Sequence, residues 1–148
     1  MKDIKNSYGT PSIAIRAIKP VSKIKIGWVN PVNYESAQTR IRVLNVNKFL
    51  RSKGYYSDIV TFGDIINKSF NIAIVGKVFN EYVYKEILSL KDKNKTVYCD
   101  LCESIFDFSW VKEIISICDL VICCSYELEK LTRQFNSRTM VIEDAFEE

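Results

Sequence analysis

A chain of 148 residues has the length of one ordinary domain and can bury a hydrophobic core. Hydrophobic residues make up 47% and charged residues 26%, which is typical of a globular protein and excludes a disordered or fibrous one. The net charge of +3, with no run of lysines and arginines, predicts no nucleic-acid partner, and no apolar stretch is long enough for a transmembrane segment. Lysines near the N-terminus indicate a solvated surface or, alternatively, weak peripheral attraction to an anionic membrane. This segment does not resemble a signal peptide, so we expect a cytoplasmic protein.

Strands and helices alternate along most of the chain. The first 22 residues are ambiguous and predict either an N-terminal arm or an extra strand. Apolar runs predict six strands, over residues 24–30, 56–62, 71–78, 96–100, 119–124 and 139–142. Apolar spacings of three and four residues predict helices over 39–53 and 80–90, and two more that begin at Ser109 and Ser125. In the first helix, Val43, Val46 and Leu50 form the predicted buried face.

This alternation predicts an α/β fold. Continuous apolar strands such as residues 120–124 favour a parallel sheet that is covered on both faces. Right-handed crossovers then give a doubly wound, mostly parallel sheet of about six strands, which is Rossmann-like. We therefore expect one domain over residues 23–148, preceded by the arm or extra strand over 1–22.

The chain contains five cysteines and no histidine. An odd number of cysteines in apolar segments favours reduced, buried thiols over a disulfide framework. Cys99 and Cys102 have the C-x-x-C spacing of redox and zinc motifs, but no second pair and no histidine accompanies them. Mechanisms that need an imidazole from this chain are excluded. The sequence predicts neither a structural metal nor a cofactor.

Ligands of doubly wound sheets bind beyond the carboxyl ends of the strands. Three segments are therefore expected to form a site: residues 31–38, residues 101–108, and the helix start at Ser125. The first of these contains neither G-x-G-x-x-G nor G-x-x-x-x-G-K-[ST]. This excludes the usual dinucleotide and nucleoside-triphosphate cradles.

Two arginines, Arg40 and Arg42, lie near the start of the first predicted helix, where the helix dipole disfavours cations. Their position indicates an anionic partner, a phosphate or a carboxylate, and the alternative is two exposed surface arginines. Asn33 in the preceding loop is a further candidate ligand contact. The side chains that either cap this helix or hydrogen-bond a polar ligand are Ser36, Gln38 and Thr39.

Asp100 ends the fourth predicted strand, and Glu103 follows it. Carboxylates in this position can bind the hydroxyl groups of a sugar-like ligand or act as a general base, which makes Asp100 the candidate catalytic residue. The alternative is that Asp100 caps loop amides at the edge of the sheet. Phe106, Phe108 and Trp110 come next and favour core packing, with stacking against a sugar ring as the alternative.

Several segments share their order and spacing with a known protein family. They are SAQTRIRVL (36–44) with LRSKGY (50–55), VYCDLCE (97–103), DLVICCSYELEKL (119–131) and MVIEDAF (140–146). The segments over 36–44 and 50–55 resemble a first loop and a helix that ends in leucine-x-x-x-glycine-[HY], and the segment over 97–103 resembles an acidic fourth-strand end. The segment over 119–131 resembles an aspartate–apolar–serine–helix element. The segment over 140–146 resembles a valine-isoleucine-proline-aspartate-alanine linker, with Glu143 in place of proline. Together they resemble the N-terminal domain of GT-B glycosyltransferases of the family-4-like type.

The resemblance implies the acceptor-side domain of an enzyme that transfers a sugar from a nucleotide-sugar donor to a sugar or sugar-lipid acceptor. It implies that Ser36, Arg40 and Arg42 face the cleft and that Asp100 and Glu103 lie on the opposing loop. The donor would bind a C-terminal domain that follows the linker, so the isolated chain is expected to be inactive. The glycine pair and the histidine that some members carry in the first loop are absent.

Two other functions are open from the residues alone. One is a non-catalytic Rossmann-like module that binds a small polar or phosphorylated ligand, with Ser125 among its contacts. The other is a structural or interaction domain.

Overall fold

The computed structural model describes residues 23–29 and 35–144, so the arm predicted over 1–22 and the candidate contact Asn33 lie outside the described residues. Its framework is one sheet of six parallel strands. The strands are β1 (Lys25–Val29), β2 (Tyr56–Ile59), β3 (Ile72–Gly76), β4 (Thr96–Leu101), β5 (Leu120–Cys123) and β6 (Thr139–Val141). Each predicted strand is confirmed, although β2 ends earlier than predicted.

Helices connect the strands. A π-helical segment (Thr39–Asn45) leads directly into α1. The helices are α1 (Val46–Ser52), α2 (Phe62–Asn67), α3 (Glu81–Asp92), α4 (Val111–Ile117) and α5 (Tyr126–Thr132). Gly54, with a φ of 84°, follows α1 in the left-handed conformation that glycine adopts at little cost.

The ends of the helices follow local capping rules. The Asn80 side chain accepts a hydrogen bond from the Val83 N–H at 2.9 Å, which starts α3 where the sequence predicts it. The start of α2 was missed from the sequence: the Thr61 side chain accepts from the Asp64 N–H while the Asp64 side chain accepts from the Thr61 N–H. This capping box ends the preceding strand and begins a helix. At α4 the predicted cap is wrong, because left-handed Trp110 occupies the cap position instead of Ser109.

The order of the strands is β2-β1-β3-β4-β5-β6, and all pairs are parallel. The chain first winds outward from β1 to β2 and then crosses back to β3, so the winding direction changes between β1 and β3. This is a doubly wound, Rossmann-like sheet, as the sequence predicts. In the part of the chain that the structure describes, no helix is long and apolar enough to cross a bilayer.

The main core lies between the sheet and helices α2–α5. In β4, alternate residues Val97, Cys99 and Leu101 are fully buried on this face, which is the period-two pattern of a strand. They pack with buried side chains such as Ile87 of α3 and Ile114 of α4. The intervening residues of β4, including Asp100, therefore point to the other face.

The other face of the sheet carries a smaller core under the π-helical segment and α1. Trp28, Val43 and Ile74 form it, and the Trp28 Nε1–H donates to the Ser57 hydroxyl at 2.9 Å. Val46, predicted to be buried, is exposed instead. The wider turn of the π-helical segment rotates the residues that follow it relative to a regular α-helix. The same turn directs buried Arg42 toward the carboxyl end of β4.

Candidate functional site

The candidate site lies at the carboxyl edge of the sheet, beside the crevice between β1 and β3. A doubly wound sheet opens here because the connections that follow β1 and β3 cover opposite faces. Polar side chains from three segments meet at this edge. They are Gln38, Arg42, Lys77, Asp100 and Glu103, which we call the carboxyl-edge cluster.

An ion pair between Arg42 and Asp100 forms the centre of this cluster. The Arg42 Nε–H donates to Asp100 Oδ2 at 2.8 Å and to Oδ1 at 3.1 Å, and Nη2 donates to Oδ1 as well. The Arg42 side chain is 8% exposed and that of Asp100 is 13% exposed. Two-point contact between a guanidinium and a carboxylate fixes the orientation of both groups. The residues expected on opposing walls of a cleft are therefore in direct contact.

Arg42 also holds the segment that follows β6. Its Nη1 donates to the Asp144 carboxylate and to the Ile142 carbonyl oxygen. Burial alone would lower the pKa of Arg42, but hydrogen bonds and negative charge from Asp100 and then Asp144 outweigh it and raise the pKa. Arg42 therefore ties together the π-helical segment, the end of β4 and the chain after β6, and its positive charge is neutralised within the protein.

Gln38 connects the start of the π-helical segment to the loop after β4. Its Nε2 donates to Glu103 Oε1 at 2.6 Å and contacts the Cys102 sulfur. Within the described ranges, Gln38 Oε1 is buried without a hydrogen-bond partner. Gln38 and Arg42 line a cavity of about 20 Å³, which has room for one water. A buried acceptor beside such a space suits a water or a ligand hydroxyl that donates to it.

Lys77 enters the site from the end of β3, and sequence reasoning missed it. Its Nζ lies 3.9 Å from Glu103 Oε1, beyond hydrogen-bond distance. The signal in the sequence is its position at the end of the third predicted strand, but only the structure shows that this strand lies next to the first one. Sequence reasoning placed the site beside the first, fourth and fifth strands because the strand order was not known.

Gly76 allows β3 and β4 to approach closely at this edge. A Cβ built on Gly76 would lie 2.9 Å from the Asp100 carbonyl oxygen and 3.6 Å from its Cβ. Side-chain atoms essentially never approach a backbone oxygen that closely, so any larger residue would displace the end of β4. Glycine here therefore helps to position Asp100 for Arg42.

Three predicted ligand contacts make local hydrogen bonds. The Ser36 hydroxyl donates to Thr39 Oγ1 at 2.9 Å and accepts from the Thr39 N–H at 3.2 Å, which stabilises the turn before the π-helical segment. Arg40 Nη1 donates to the Glu35 carbonyl oxygen. The Ser125 hydroxyl accepts from the Leu128 N–H and caps α5. The predicted residues that the structure brings into one cluster are Arg42, Asp100 and Glu103.

The aromatic residues after β4 divide into two groups. Phe106 packs against Phe135 with ring centroids 5.4 Å apart, and Trp110 packs against Tyr84 at the same distance. Phe108 is instead 68% exposed. It borders a cavity of about 310 Å³ that also contacts the carboxyl-edge cluster. Core packing thus accounts for two of the three aromatics but not for Phe108.

Two cysteines near the site have thiols with raised pKa values. All five cysteines are free thiols, as the sequence predicts, but Cys102 and Cys124 are only partly buried. Burial raises the pKa of Cys102 to about 11, and a hydrogen bond with Cys118 together with burial raises that of Cys99. Reactive thiols have lowered pKa values, so the raised values favour the role of core thiols over nucleophilic or redox chemistry. Among the described residues, no group of three or more potential ligand side chains is arranged to hold a metal ion.

A larger cavity, of about 670 Å³, lies at the opposite, amino edge of the sheet. Some of its polar side chains bond within the fold. Asp119 accepts hydrogen bonds from Lys91 and from the Val97 N–H, and Asn136 donates to the carbonyl oxygens of Ile115 and Cys118. Asp119 and Asn136 therefore stabilise the fold around this cavity, which Asp92, Ser137 and Arg138 also line.

Comparison with models of known protein families and with curated protein sequences found no match to this chain.

Proposed function

We propose that this chain is the acceptor-side domain of a glycosyltransferase, the part that holds the molecule to which a sugar is transferred from a nucleotide-sugar donor. The observation that carries the proposal is a convergence on one side chain. Three of the segments that resemble this family, 36–44, 97–103 and 140–146, contribute Arg42, Asp100 and Asp144, and both aspartates bond to Arg42. Residues far apart in sequence thus meet at the carboxyl edge, where doubly wound sheets generally bind ligands.

The charges at this edge support an acceptor site better than a donor site. Arg42 is paired with Asp100 and Asp144, and Lys77 lies near Glu103. Little positive charge is left for the phosphates of a nucleotide, which proteins usually bind with glycine-rich loops and unpaired cations. A neutral, hydroxyl-rich acceptor needs no such excess. In this proposal, Arg42 positions Asp100, while Gln38 positions Glu103.

A second candidate function is a non-catalytic module that binds a small polar ligand. The geometry of Asp100 favours it, because both of its carboxylate oxygens accept hydrogen bonds from Arg42. A carboxylate held in this way is better suited to orienting a ligand than to removing a proton. The module would use the same carboxyl-edge cluster, so the two functions differ in whether sugar transfer occurs.

Enzyme kinetics on the full-length polypeptide that carries this sequence test the proposal. The donors are UDP-glucose, UDP-N-acetylglucosamine and GDP-mannose, and the acceptors are a mixture of oligosaccharides and neutral glycolipids. We expect acceptor-dependent release of nucleoside diphosphate from one donor. Glu103→Gln should raise the KM for the acceptor about tenfold and leave the KM for the donor unchanged.

Glu113→Gln, a change of the same type at an exposed residue of α4, is the control and should alter neither constant. Absence of nucleoside diphosphate release from all three donors would contradict the proposal and favour the second candidate function, the non-catalytic binding module. So would a Glu103→Gln variant in which only the KM for the donor changes.

A further inference from the structure

The cavity beside Phe108 has two chemically different walls. Phe79, Ile105 and Phe108 form an apolar wall, and Lys77, Asp100 and Glu103 form a polar one. Its volume of about 310 Å³ lies at the small end of the range for ligand sites, roughly 300–1,000 Å³. A ligand that fills it is small and has one apolar side and one polar side.

The polar wall carries both donors and acceptors without a large net charge. Lys77 opposes Glu103 at 3.9 Å, and Asp100 is neutralised by Arg42. Because the Lys77–Glu103 separation exceeds hydrogen-bond distance, the Lys77 ammonium can donate to a ligand. The carboxylate oxygens of Asp100 and Glu103 have further lone pairs that can accept. Hydroxyl groups, which donate and accept, match this wall better than a phosphate or a carboxylate does.

The apolar wall presents the ring of Phe108 to solvent. With 68% of its surface exposed, Phe108 is among the most exposed large apolar residues, whereas Phe79 and Ile105 are partly buried against the main core. The electron-rich face of an aromatic ring attracts groups with partial positive charge, including the C–H bonds of a sugar. A pyranose ring has C–H bonds on its faces and hydroxyl groups around its edge, so its two surfaces correspond to the two walls.

We propose that this cavity binds one pyranose ring of a neutral sugar, with the ring face against Phe108 and its hydroxyl groups on Lys77, Asp100 and Glu103. The proposal rests on the proposed function, since it names the sugar unit of the acceptor as the occupant of this cavity. It also identifies Phe108 as the residue on which affinity for that unit depends most.

Nuclear magnetic resonance titration of the 148-residue chain tests this inference. The probes are methyl β-D-glucopyranoside, methyl α-D-mannopyranoside and methyl N-acetyl-β-D-glucosaminide, each added up to its solubility limit. Glucitol, which has the hydroxyl groups but no ring, and inorganic phosphate are the comparison ligands. At least one pyranoside should shift the amides of residues 77–79 and 101–108, and neither comparison ligand should shift them as strongly.

Two substitutions of Phe108 and one control substitution elsewhere test the role of its aromatic ring. Phe108→Ala should weaken pyranoside binding about tenfold, and Phe108→Tyr, which keeps the ring, should restore it. Tyr126→Ala removes an aromatic side chain that is 66% exposed at the same edge but does not line the cavity, and should leave the affinity unchanged. Because Phe108 is exposed, the alanine variant should fold, and its amide spectrum verifies this.

The inference is overturned if no pyranoside binds, if Phe108→Ala binds as tightly as the wild type, or if phosphate competes more strongly than the pyranosides. These outcomes are separable from failure of the enzyme proposal. Sugar transfer by the full-length polypeptide without pyranoside binding here would reject only this inference. Phe108-dependent binding without sugar transfer would reject only the enzyme proposal.

Discussion

At the scale of single residues, the central feature of the site is the buried guanidinium of Arg42. It is a buried arginine whose guanidinium contacts two carboxylates and a backbone carbonyl from segments far apart in sequence. Burying such a charge is costly unless it is paired, and here the pairing is provided by Asp100 and Asp144. The same contacts make Arg42 a structural part of the site rather than a free cation for an incoming anion.

Arg42→Ala should therefore destabilise the protein by roughly 3–5 kcal/mol, because it leaves the buried carboxylate of Asp100 without its partner. Urea denaturation measures this free energy of unfolding. The matched control is Arg51→Ala, which removes a 62% exposed side chain that lies 3.8 Å from Asp58 and should cost less than about 1 kcal/mol. Similar losses in the two variants would show that the pairing of Arg42 contributes little to stability.

Two glycines offer a second comparison. Gly76→Ala should destabilise by about 1–3 kcal/mol, because the new Cβ would meet the Asp100 carbonyl oxygen at 2.9 Å. Gly63→Ala lies in α2, where the nearest atom would be 3.8 Å away, and should be neutral or stabilise by up to about 1 kcal/mol. Thermal unfolding of both variants measures the difference. If Gly76→Ala is as stable as Gly63→Ala, the close approach of β3 and β4 is not required.

At the scale of elements, Asp119 joins the starts of β4 and β5 to α3. It accepts hydrogen bonds from the Val97 N–H at 2.9 Å and from Lys91 Nζ at 2.6 Å. Burial alone would raise the pKa of Asp119, but Lys91 and then the Val97 amide outweigh it and hold the pKa below its usual value. A lowered pKa in the folded state means that the charged form stabilises the fold.

Asp119→Asn should lower the free energy of unfolding by about 1–2 kcal/mol at pH 7, since the pair is partly exposed and solvent screens it. The stabilisation by Asp119 is fully present above its unfolded pKa of about 4 and disappears as the pH falls through the lower folded value. The difference between wild type and variant should therefore shrink in acid, as urea denaturation at several pH values would reveal. Asp92→Asn, an exposed control, should change stability by less than about 0.5 kcal/mol. A constant difference down to pH 2 would contradict this assignment.

The sequence predicted the strands well because apolar runs and local caps determine them. The main errors concern contacts that depend on three-dimensional arrangement. Val46 is exposed because of the π-helical turn before it. Lys77 joins the site because β3 lies between β1 and β4, and local sequence does not specify that order.

The ion pairs of Arg42 also could not be predicted from local sequence. Arg42 and Asp144 are 102 positions apart, and their contact requires β4, β5 and β6 to be correctly aligned. Asp100 and Glu103 could be singled out because residues after parallel strands collect at the ligand-binding edge. What could not be foreseen is that Asp100 would be bonded to Arg42 and Glu103 to Gln38.

At the scale of the whole molecule, the two edges of the sheet differ in how their polar groups are used. At the amino edge, the Asn71 side chain accepts from the Lys25 N–H, and Asp119 and Asn136 likewise bond to backbone groups. At the carboxyl edge, Lys77 and Glu103 keep hydrogen-bonding capacity toward solvent. We therefore propose that the ligand binds at the carboxyl edge, although the cavity at the amino edge is larger.

The most direct test of this claim is an amide chemical-shift map of the ¹⁵N-labelled chain with an acceptor-like oligosaccharide glycoside. The account predicts that the shifts concentrate at residues 76–79 and 100–108, at the carboxyl edge. Shifts concentrated at residues 91–92, 116–119 and 135–138, around the cavity at the amino edge, would contradict it. So would the absence of shifts at both edges when the oligosaccharide is present at its solubility limit.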